Sequence, residues 1–219
     1  MLNKITIIGV GLIGGSLAKA IKANKLATVV CGYGRDQLRL EKAKKGNIID
    51  ELSTDIGEAI KGADIVVIAT PVGTFKQILE DIEPLISEQV IISDVGSTKT
   101  NIVKIVNTVL KEKSKCFVPA HPIAGKEKSG FEVSVSDLFE DKKVILTPLE
   151  NNAPESIKVI HDMWTGVGSE VDYMSSESHD ELLGMTSHLP HMLAFSLVNY
   201  LVSQNPTASI YAGGGFKDF

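Results

Sequence analysis

Short runs of β-branched residues recur along the 219-residue chain, and most are separated by a stretch of helical periodicity. Runs that are apolar at consecutive positions, such as residues 65–68, must be covered on both faces, as in a parallel sheet with helices above and below it. We therefore predict an α/β fold with a mostly parallel sheet. The predicted strands are residues 4–9, 28–32, 65–69, 90–94, 116–120 and 143–147. The predicted helices are residues 13–23, 36–45, 73–86, 98–110 and 154–166.

The pattern changes near residue 173, after which the sequence has few β-branched runs and is typical of helix. Pro190 lies inside this segment, and a proline there removes one backbone hydrogen bond, so we expect a kink or break over residues 187–190. We predict a dinucleotide-binding domain over residues 1–172. Residues 173–219 would be the beginning of a helical domain, too short to bury a core alone.

Composition excludes several classes of function. Lys and Arg total 22 against 27 Asp and Glu, so no broad cationic face is available and nucleic acid is not an expected partner. Cys31 and Cys116 lie far apart with no Cys-x-x-Cys pair, which argues against a disulfide framework and fits a reducing compartment. The start of the chain leaves no room for a signal peptide, and no apolar run reaches the roughly 18 residues that cross a bilayer. We expect a soluble, cytoplasmic protein with no membrane partner.

A glycine-rich segment, Gly9-Val10-Gly11-Leu12-Ile13-Gly14, directly follows the first predicted strand and opens a helix. In that context G-x-G-x-x-G predicts dinucleotide binding in a Rossmann-type, doubly wound sheet. Gly9 permits the tight turn, Gly11 lets a pyrophosphate approach, and Gly14 lets the helix pack on the strand. The N–H groups at the helix start, around Leu12 and Ile13, would hold the anion. The alternative is a glycine-rich turn with no ligand.

The end of the second predicted strand bears on the choice of cofactor. NAD-binding sheets usually carry Asp or Glu about 20 residues beyond the glycines, where this chain has Gly34. Arg35 could pair with a 2′-phosphate, which favours NADP or use of both cofactors, while Asp36 is near enough to leave NAD open. Alternatively, Arg35 is a solvent-exposed charge and Asp36 caps the next helix.

Polar residues follow three further predicted strands, and ligands of open α/β sheets bind outside the carboxyl ends of the strands. Thr70-Pro71 follows the third strand, Ser97 the fourth and His121 the fifth. The imidazole of His121 could accept a proton from a substrate hydroxyl while a hydride leaves the same carbon, and Ser97 could bind either group. Alternatively, Ser97 caps the following helix and His121 is a turn residue before proline.

A second histidine pair, His188 and His191, lies in the predicted helical domain. Residues three apart share a helical face, but no Glu or Cys at a compatible spacing completes a ligand set, so we predict no metal. The pair would suit a polar cleft between domains. Alternatively, one histidine binds a backbone carbonyl near the kink and the other faces solvent.

Five motifs occur in a characteristic order. They are Gly9-Val10-Gly11-Leu12-Ile13-Gly14-Gly15-Ser16-Leu17, Asp94-Val95-Gly96-Ser97-Thr98-Lys99, His121-Pro122-Ile123-Ala124-Gly125-Lys126-Glu127, Ser187-His188-Leu189-Pro190-His191 and Gly214-Gly215-Phe216-Lys217-Asp218-Phe219. Over essentially the whole chain, this series resembles the prephenate dehydrogenase family, including its arogenate-accepting members. The resemblance implies NAD(P)-dependent oxidative decarboxylation of prephenate to 4-hydroxyphenylpyruvate, on the route to tyrosine. Hydride passes from the ring carbon bearing the hydroxyl to the nicotinamide, carbon dioxide leaves and the ring becomes aromatic.

The resemblance also implies roles for individual residues. His121 would deprotonate the ring hydroxyl, Ser97 would assist at the hydroxyl and the nicotinamide, and Glu127 would lie near the pocket entrance. Further substrate contacts would come from the helical domain, through Ser187, His188, His191 and Lys217. The same domain would form a homodimer.

The sequence departs from the family at its end. The family motif continues into Thr and an arginine that binds the ring carboxylate, whereas this sequence ends at Phe219. Without that arginine, Lys217 would balance the two substrate charges, with help from Lys99 or Lys126. We expect the native protein to extend further, the alternative being a short product with impaired catalysis.

Two other functions share the glycine loop. One is a nicotinamide dehydrogenase acting on another small hydroxy acid, and the other is a non-catalytic module that senses a dinucleotide. The residues also leave prephenate and arogenate open as substrates, because they differ only in a side-chain keto or amino group.

Overall fold

The structure is a computed structural model that describes residues 2–87, 89–207, 210 and 213. The described chain divides into two compact units, with the boundary between Ser176 and Glu177.

A six-stranded parallel sheet forms the centre of the first unit. Its strands are β1 (Leu2–Ile8), β2 (Ala27–Tyr33), β3 (Glu51–Ser53), β4 (Ile65–Ile68), β5 (Ile91–Asp94) and β6 (Phe117–Val118), in the order β3-β2-β1-β4-β5-β6. The intervening helices are α1 (Leu12–Ala23), α2 (Gln37–Lys45), α3 (Ile56–Ile60), α4 (Phe75–Ile82) and α5 (Thr100–Leu110). This confirms the predicted Rossmann-type fold. Because the strand order reverses between β1 and β4, a crevice opens there at the carboxyl ends of the strands.

Two sets of side chains cover the faces of this sheet. Alternate residues of β4 face opposite ways, so Ile65 and Val67 join one apolar cluster, and Val66 and Ile68 join the other. Helix α1 covers the first face, and α4 and α5 cover the second. Burial of each large aliphatic side chain contributes about 1.5–3 kcal/mol. The run of four apolar residues in β4 is therefore buried on both sides, as predicted.

A second, three-stranded sheet was not predicted. It consists of β7 (Ala120–Pro122), antiparallel to β8 (Lys143–Leu146), which is parallel to β9 (Glu170–Tyr173). Helix α6 (Pro154–Gly166) precedes β9. The prediction of a single strand over residues 116–120 was wrong because Pro119 has no N–H for the ladder, and its carbonyl accepts a hydrogen bond from Thr147 N at 3.1 Å. The chain therefore passes from one sheet to the other at Pro119.

The second unit is helical in its described part. Helix α7 (Ser176–Leu183) leads into a π-helical turn at Gly184–His188, and α8 (Leu189–Gln204) follows. The helical path continues without interruption through Pro190, and the irregularity near the predicted kink or break is this π-helical turn. Among the described residues, no helix combines the length and apolar character needed to span a membrane.

Candidate active site

A cleft of about 400 Å³ opens at the carboxyl ends of β1, β4 and β5. Its lining comes from the loops that follow these strands, from the end of β7 and from the segment after it. The lining residues are Gly11, Leu12, Ile13, Ala69, Thr70, Pro71, Val72, Val95, Gly96, Ser97, Pro122 and Ala124. The structure thus brings together the glycine loop, Thr70-Pro71 and Ser97, which lie far apart in sequence. This is the position at which a doubly wound sheet binds a dinucleotide.

The three glycines of the loop play different structural roles. Gly9 has φ +99°, and a Cβ there would lie 2.9 Å from the carbonyl oxygen of Ala69. A Cβ on Gly14 would collide with the carbonyl oxygen of Gly9. At Gly11, by contrast, a Cβ would meet no atom within 4 Å. Gly9 and Gly14 are therefore required by the fold, whereas Gly11 leaves open space at the start of α1.

That open space fits a pyrophosphate. Gly11 is the N-cap of α1, which carries no acidic residue in its first turn. Unpaired N–H groups and the partial positive charge at a helix start attract phosphate, and an open glycine allows close approach. Leu12 and Ile13, the first helical residues, also line the cleft. These residues suit the diphosphate of NAD(P).

The end of β2 carries the residues that bear on cofactor choice. Gly34 is half-buried, whereas Arg35 and Asp36 are exposed. Asp36 caps α2, because its Oδ1 accepts a hydrogen bond from Arg39 N at 3.1 Å. The guanidinium of Arg39 lies 5.8 Å from the centroid of the Phe131 ring. The expected helix cap is therefore present, and Arg35 is the exposed cation next to it.

Ser97 is an exposed residue in the loop between β5 and α5. Helix α5 begins at Thr100 with Lys99 as its N-cap residue, and the Lys99 side chain forms no capping hydrogen bond. Ser97 is therefore not the N-cap residue of this helix. Its position in the lining of the cleft leaves the hydroxyl available for a ligand.

His121 lies in the middle of β7 and is half-buried. It pairs with Ile145 of β8, so the alternative of a simple turn residue was wrong. The next residue, Pro122, lines the cleft. His121 is therefore the strand neighbour of a residue that lines the cleft, without being part of the lining itself, and it lies in a strand rather than in a loop.

Glu127 is exposed in the loop that follows β7. Both ends of this loop are held in place. Ile123 N donates a hydrogen bond to Lys143 O at 2.8 Å at one end. At the other end, Lys19 of α1 donates to Ser134 O at 2.6 Å. The loop with Glu127 is thus anchored to the helix that begins at the glycine loop.

One buried ion pair beside the cleft was not predicted from the sequence. Lys99 has no exposed surface, and its Nζ donates to Asp94 Oδ2 at 2.5 Å and to Ala120 O at 2.7 Å. Burial raises the pKa of Asp94, and the attraction of Lys99 opposes that shift. The expectation that Lys99 helps to balance the charge of a substrate was wrong, because its ammonium group is buried within the protein. The signal that could have revealed the pair is an acid and a base five residues apart around Gly96.

The remaining candidates lie in the second unit or outside the described residues. Ser187 and His188 are half-buried in the π-helical turn, and His191 is exposed. The Nδ1 of His191 lies 3.1 Å from Ser187 O, so one histidine contacts a backbone carbonyl of the π-helical turn. Within the described residues, no group of His, Cys, Asp and Glu could hold a metal ion. Lys217 lies outside the described residues.

Two family models match this chain. The model described as "Prephenate dehydrogenase, nucleotide-binding domain" matches residues 17–173. The model described as "Prephenate dehydrogenase, dimerization domain" matches residues 175–219.

Among curated proteins, the cyclohexadienyl dehydrogenase of Zymomonas mobilis is 35% identical over 218 residues, which cover 98% of this chain and 74% of that protein. The prephenate dehydrogenase of Bacillus subtilis is 35% identical over 222 residues, which cover 100% of this chain and 60% of that protein. This chain therefore spans three quarters of the length of one relative and less than two thirds of the other.

Solved structures show the same likeness. The prephenate dehydrogenase of A. aeolicus, in complex with hydroxyphenyl propionate and NAD⁺, has a TM-score of 0.91 at 38% identity. The matched region covers 100% of this chain and 77% of that chain. The arogenate dehydrogenase of Synechocystis has a TM-score of 0.82 at 28% identity, and the matched region covers 98% of this chain and 77% of that chain. The chain therefore belongs to the prephenate dehydrogenase family of NAD-dependent oxidoreductases.

Proposed function

We propose that the protein catalyses the NAD(P)-dependent oxidative decarboxylation of prephenate. The products would be 4-hydroxyphenylpyruvate, carbon dioxide and the reduced cofactor. The observation that carries this proposal is the cleft at the strand-order reversal, where the open glycine loop, Ser97 and the residue next to His121 line one space. A related structure holds NAD⁺ and a hydroxyphenyl acid together, which supports this substrate class.

In this proposal, residues of the cleft and residues next to it bind the cofactor, orient the substrate and accept its proton. The N–H groups at the start of α1 would hold the pyrophosphate, and Thr70-Pro71 would contact the nicotinamide half of the cofactor. The bound cofactor supplies a hydride acceptor. His121 takes the proton of the ring hydroxyl, Ser97 hydrogen-bonds to the same hydroxyl, and Glu127 lies at the entrance. Because loss of carbon dioxide makes the ring aromatic, correct orientation and one proton acceptor are the main requirements.

The other expected substrate contacts remain predictions for this chain. Ser187, His188 and His191 are assigned to substrate binding by the family motif, as is Lys217. A cytoplasmic location is also a prediction, supported by Cys31 and Cys116, which are both buried as reduced thiols.

Steady-state oxidation tests the proposal. The purified protein is mixed with prephenate and NAD or NADP, and reduced nicotinamide is followed by absorbance. We expect one reduced cofactor and one carbon dioxide for each prephenate consumed. Arogenate is the matched second substrate, because a neighbouring structure is an arogenate dehydrogenase. Binding of NAD(P) with no turnover of either substrate would instead indicate a dinucleotide-sensing module, and turnover of another hydroxy acid alone would indicate a different dehydrogenase.

For the choice of cofactor, we propose that Arg35 favours NADP or permits both cofactors. In Arg35→Ala, we expect NADP affinity to fall by about tenfold and NAD affinity to change less than about twofold, because only NADP carries the 2′-phosphate. Titration of each cofactor by fluorescence measures both values. Arg39→Ala is the matched control, since that guanidinium lies over Phe131. Equal weakening of both cofactors by Arg35→Ala would contradict the 2′-phosphate assignment.

We also propose that the protein is a homodimer through its helical unit. Helix α8 exposes a series of large apolar side chains, among them Met192 at 63%, Phe195 at 64% and Tyr200 at 62%. An apolar surface of this kind is typical of an interface. The match to a dimerization-domain model supports the same arrangement.

Charge on this surface should prevent the dimer from forming. We expect Phe195→Glu to shift the protein from dimer to monomer, because a buried carboxylate without a partner strongly destabilises an interface. Light scattering coupled to size-exclusion chromatography measures the mass. Leu85→Glu is the matched control, since Leu85 is an exposed apolar residue of the first unit, at 52%. A dimer in both variants would contradict the assignment of α8 to the interface.

A further inference from the structure

The buried ion pair of Asp94 and Lys99 lies where three segments of the first unit come together. Asp94 is the last residue of β5, and neither side chain has exposed surface. The segments are β5 itself, the loop that carries Ser97, and β7, which carries His121. Strand β5 contains Asp94 itself, and hydrogen bonds join the pair to the Ser97 loop and to β7.

The contacts of the Asp94 carboxylate account for two of these connections. Oδ2 accepts a hydrogen bond from Gly96 N at 2.8 Å, which holds the loop immediately before Ser97. Oδ1 accepts a hydrogen bond from Ala120 N at 3.1 Å, which holds β7 immediately before His121. One carboxylate therefore binds the backbone neighbours of both proposed active-site residues.

Lys99 completes the network. Its Nζ donates to Asp94 Oδ2 and also to Ala120 O at 2.7 Å, so both backbone polar groups of Ala120 are bound by the pair. The space around the loop is tight, since a Cβ on Gly96 would lie 2.8 Å from Asp94 Oδ2 and 2.6 Å from Ile102 Cδ1. The loop therefore has little freedom to move relative to the carboxylate.

This network spans the junction between the two sheets. The chain leaves β6 at Pro119 and enters β7 at Ala120, so ladder hydrogen bonds of the parallel sheet end before His121. The direction in which β7 leaves the parallel sheet is fixed at Ala120 by Asp94 and Lys99. Small displacements of a catalytic group strongly reduce turnover.

We propose that Asp94 and Lys99 are positioning residues, which act through Ser97 and His121 by holding the Ser97 loop and β7 in register across the sheet junction. This inference rests on the function proposed above. Neither residue of the pair is part of the cleft lining. In this proposal the pair acts on the geometry of Ser97 and His121.

The test compares Lys99→Met with the double variant Asp94→Asn/Lys99→Met. The single variant leaves the Asp94 carboxylate buried without its ion-pair partner, whereas the double variant leaves no uncompensated charge. The double variant therefore tests the proposal even if the single variant fails to fold. We expect kcat per cofactor-binding site to fall by about 30-fold in the double variant, because Ser97 and His121 lose their orientation relative to each other. The dissociation constant of NAD(P), whose binding loop lies on β1, should change less than about twofold. Turnover is measured well below the unfolding temperature of each variant.

Ser93→Ala is the matched control. The Ser93 hydroxyl is buried one residue before Asp94 and donates to Val118 O at 2.7 Å, so it joins β5 to β6 within the parallel sheet. We expect this variant to lose thermal stability with kcat unchanged. An equal fall of kcat in Ser93→Ala, or a double variant with kcat within about threefold of the parent, would overturn the positioning role.

A crystal structure of the double variant separates this inference from the proposed function. We expect the backbone of His121 to be displaced by about 1 Å or more relative to Ser97, whichever substrate the protein oxidises. Unchanged positions of these two residues would overturn the inference. Absence of turnover in the parent protein, with displacement in the double variant, would overturn the proposed function alone.

Discussion

We expect His121→Asn to lower turnover of prephenate by roughly 100-fold or more, while the affinity for NAD(P) stays nearly unchanged. Asparagine can hydrogen-bond to the ring hydroxyl, but it cannot accept the proton. The pyrophosphate site proposed above lies at the start of α1, which His121 does not form. Steady-state kinetics and a separate cofactor titration measure the two effects.

His161→Asn is the matched control for this prediction. His161 lies on α6, where its Nδ1 is 2.8 Å from the hydroxyl of Tyr173, and it does not line the cleft described above. We expect its replacement to leave turnover within about twofold of the parent. Loss of cofactor affinity in His121→Asn, or retention of its full turnover, would show that the assignment of proton transfer to His121 is wrong.

The second large effect is expected at Gly11. Valine there should lower the affinity for NAD(P) by about 100-fold, equivalent to about 2.7 kcal/mol, without destabilising the protein. The backbone at Gly11 is extended and a Cβ meets no atom within 4 Å, so the side chain fits the protein and occupies only the space assigned to the pyrophosphate. Isothermal titration with NAD and NADP, together with thermal unfolding, measures both quantities.

Gly14→Val should show the opposite pattern. Its Cβ would collide with the carbonyl oxygen of Gly9 and lie 3.0 Å from Ile7, so we expect a loss of about 3 kcal/mol in the free energy of unfolding. For a chain of this length, that loss lowers Tm by about 6–12 °C. If Gly11→Val also unfolds the protein, or binds NAD(P) as the parent does, the open space above α1 is not the pyrophosphate site.

Much of the sheet could be predicted because the apolar pattern of its strands indicates which residues are buried. Four consecutive apolar residues in β4 require cover on both faces, and helices provide it. The glycine loop, Thr70 and Ser97 were assigned to one edge because carboxyl ends of parallel strands share an edge. These inferences use only local pattern and the geometry of parallel sheets.

Other features depend on contacts that local pattern does not contain. Residues 116–120 have the composition of one strand, yet Pro119 lies at a junction, and the partner of β7 is β8, more than 20 residues away. Strand β3 and helix α3 are too short to give a clear periodic signal. These elements are therefore defined by their tertiary neighbours.

Lys99 illustrates the same limit at the site. A lysine after a strand end is most simply interpreted as a charge that meets an anionic substrate. In the structure its side chain points instead to Asp94 and Ala120 O, where it is fully buried. Sequence spacing predicts which residues lie near a site more readily than it predicts where each side chain points.

A crystal structure of the protein with NAD⁺ and hydroxyphenyl propionate tests the central claim most directly. We predict the pyrophosphate against the N–H groups of Leu12 and Ile13, and the phenolic oxygen within about 3 Å of a ring nitrogen of His121. A hydroxyphenyl ring bound away from the nicotinamide, or a His121 imidazole beyond hydrogen-bonding distance of the phenolic oxygen, would contradict the account.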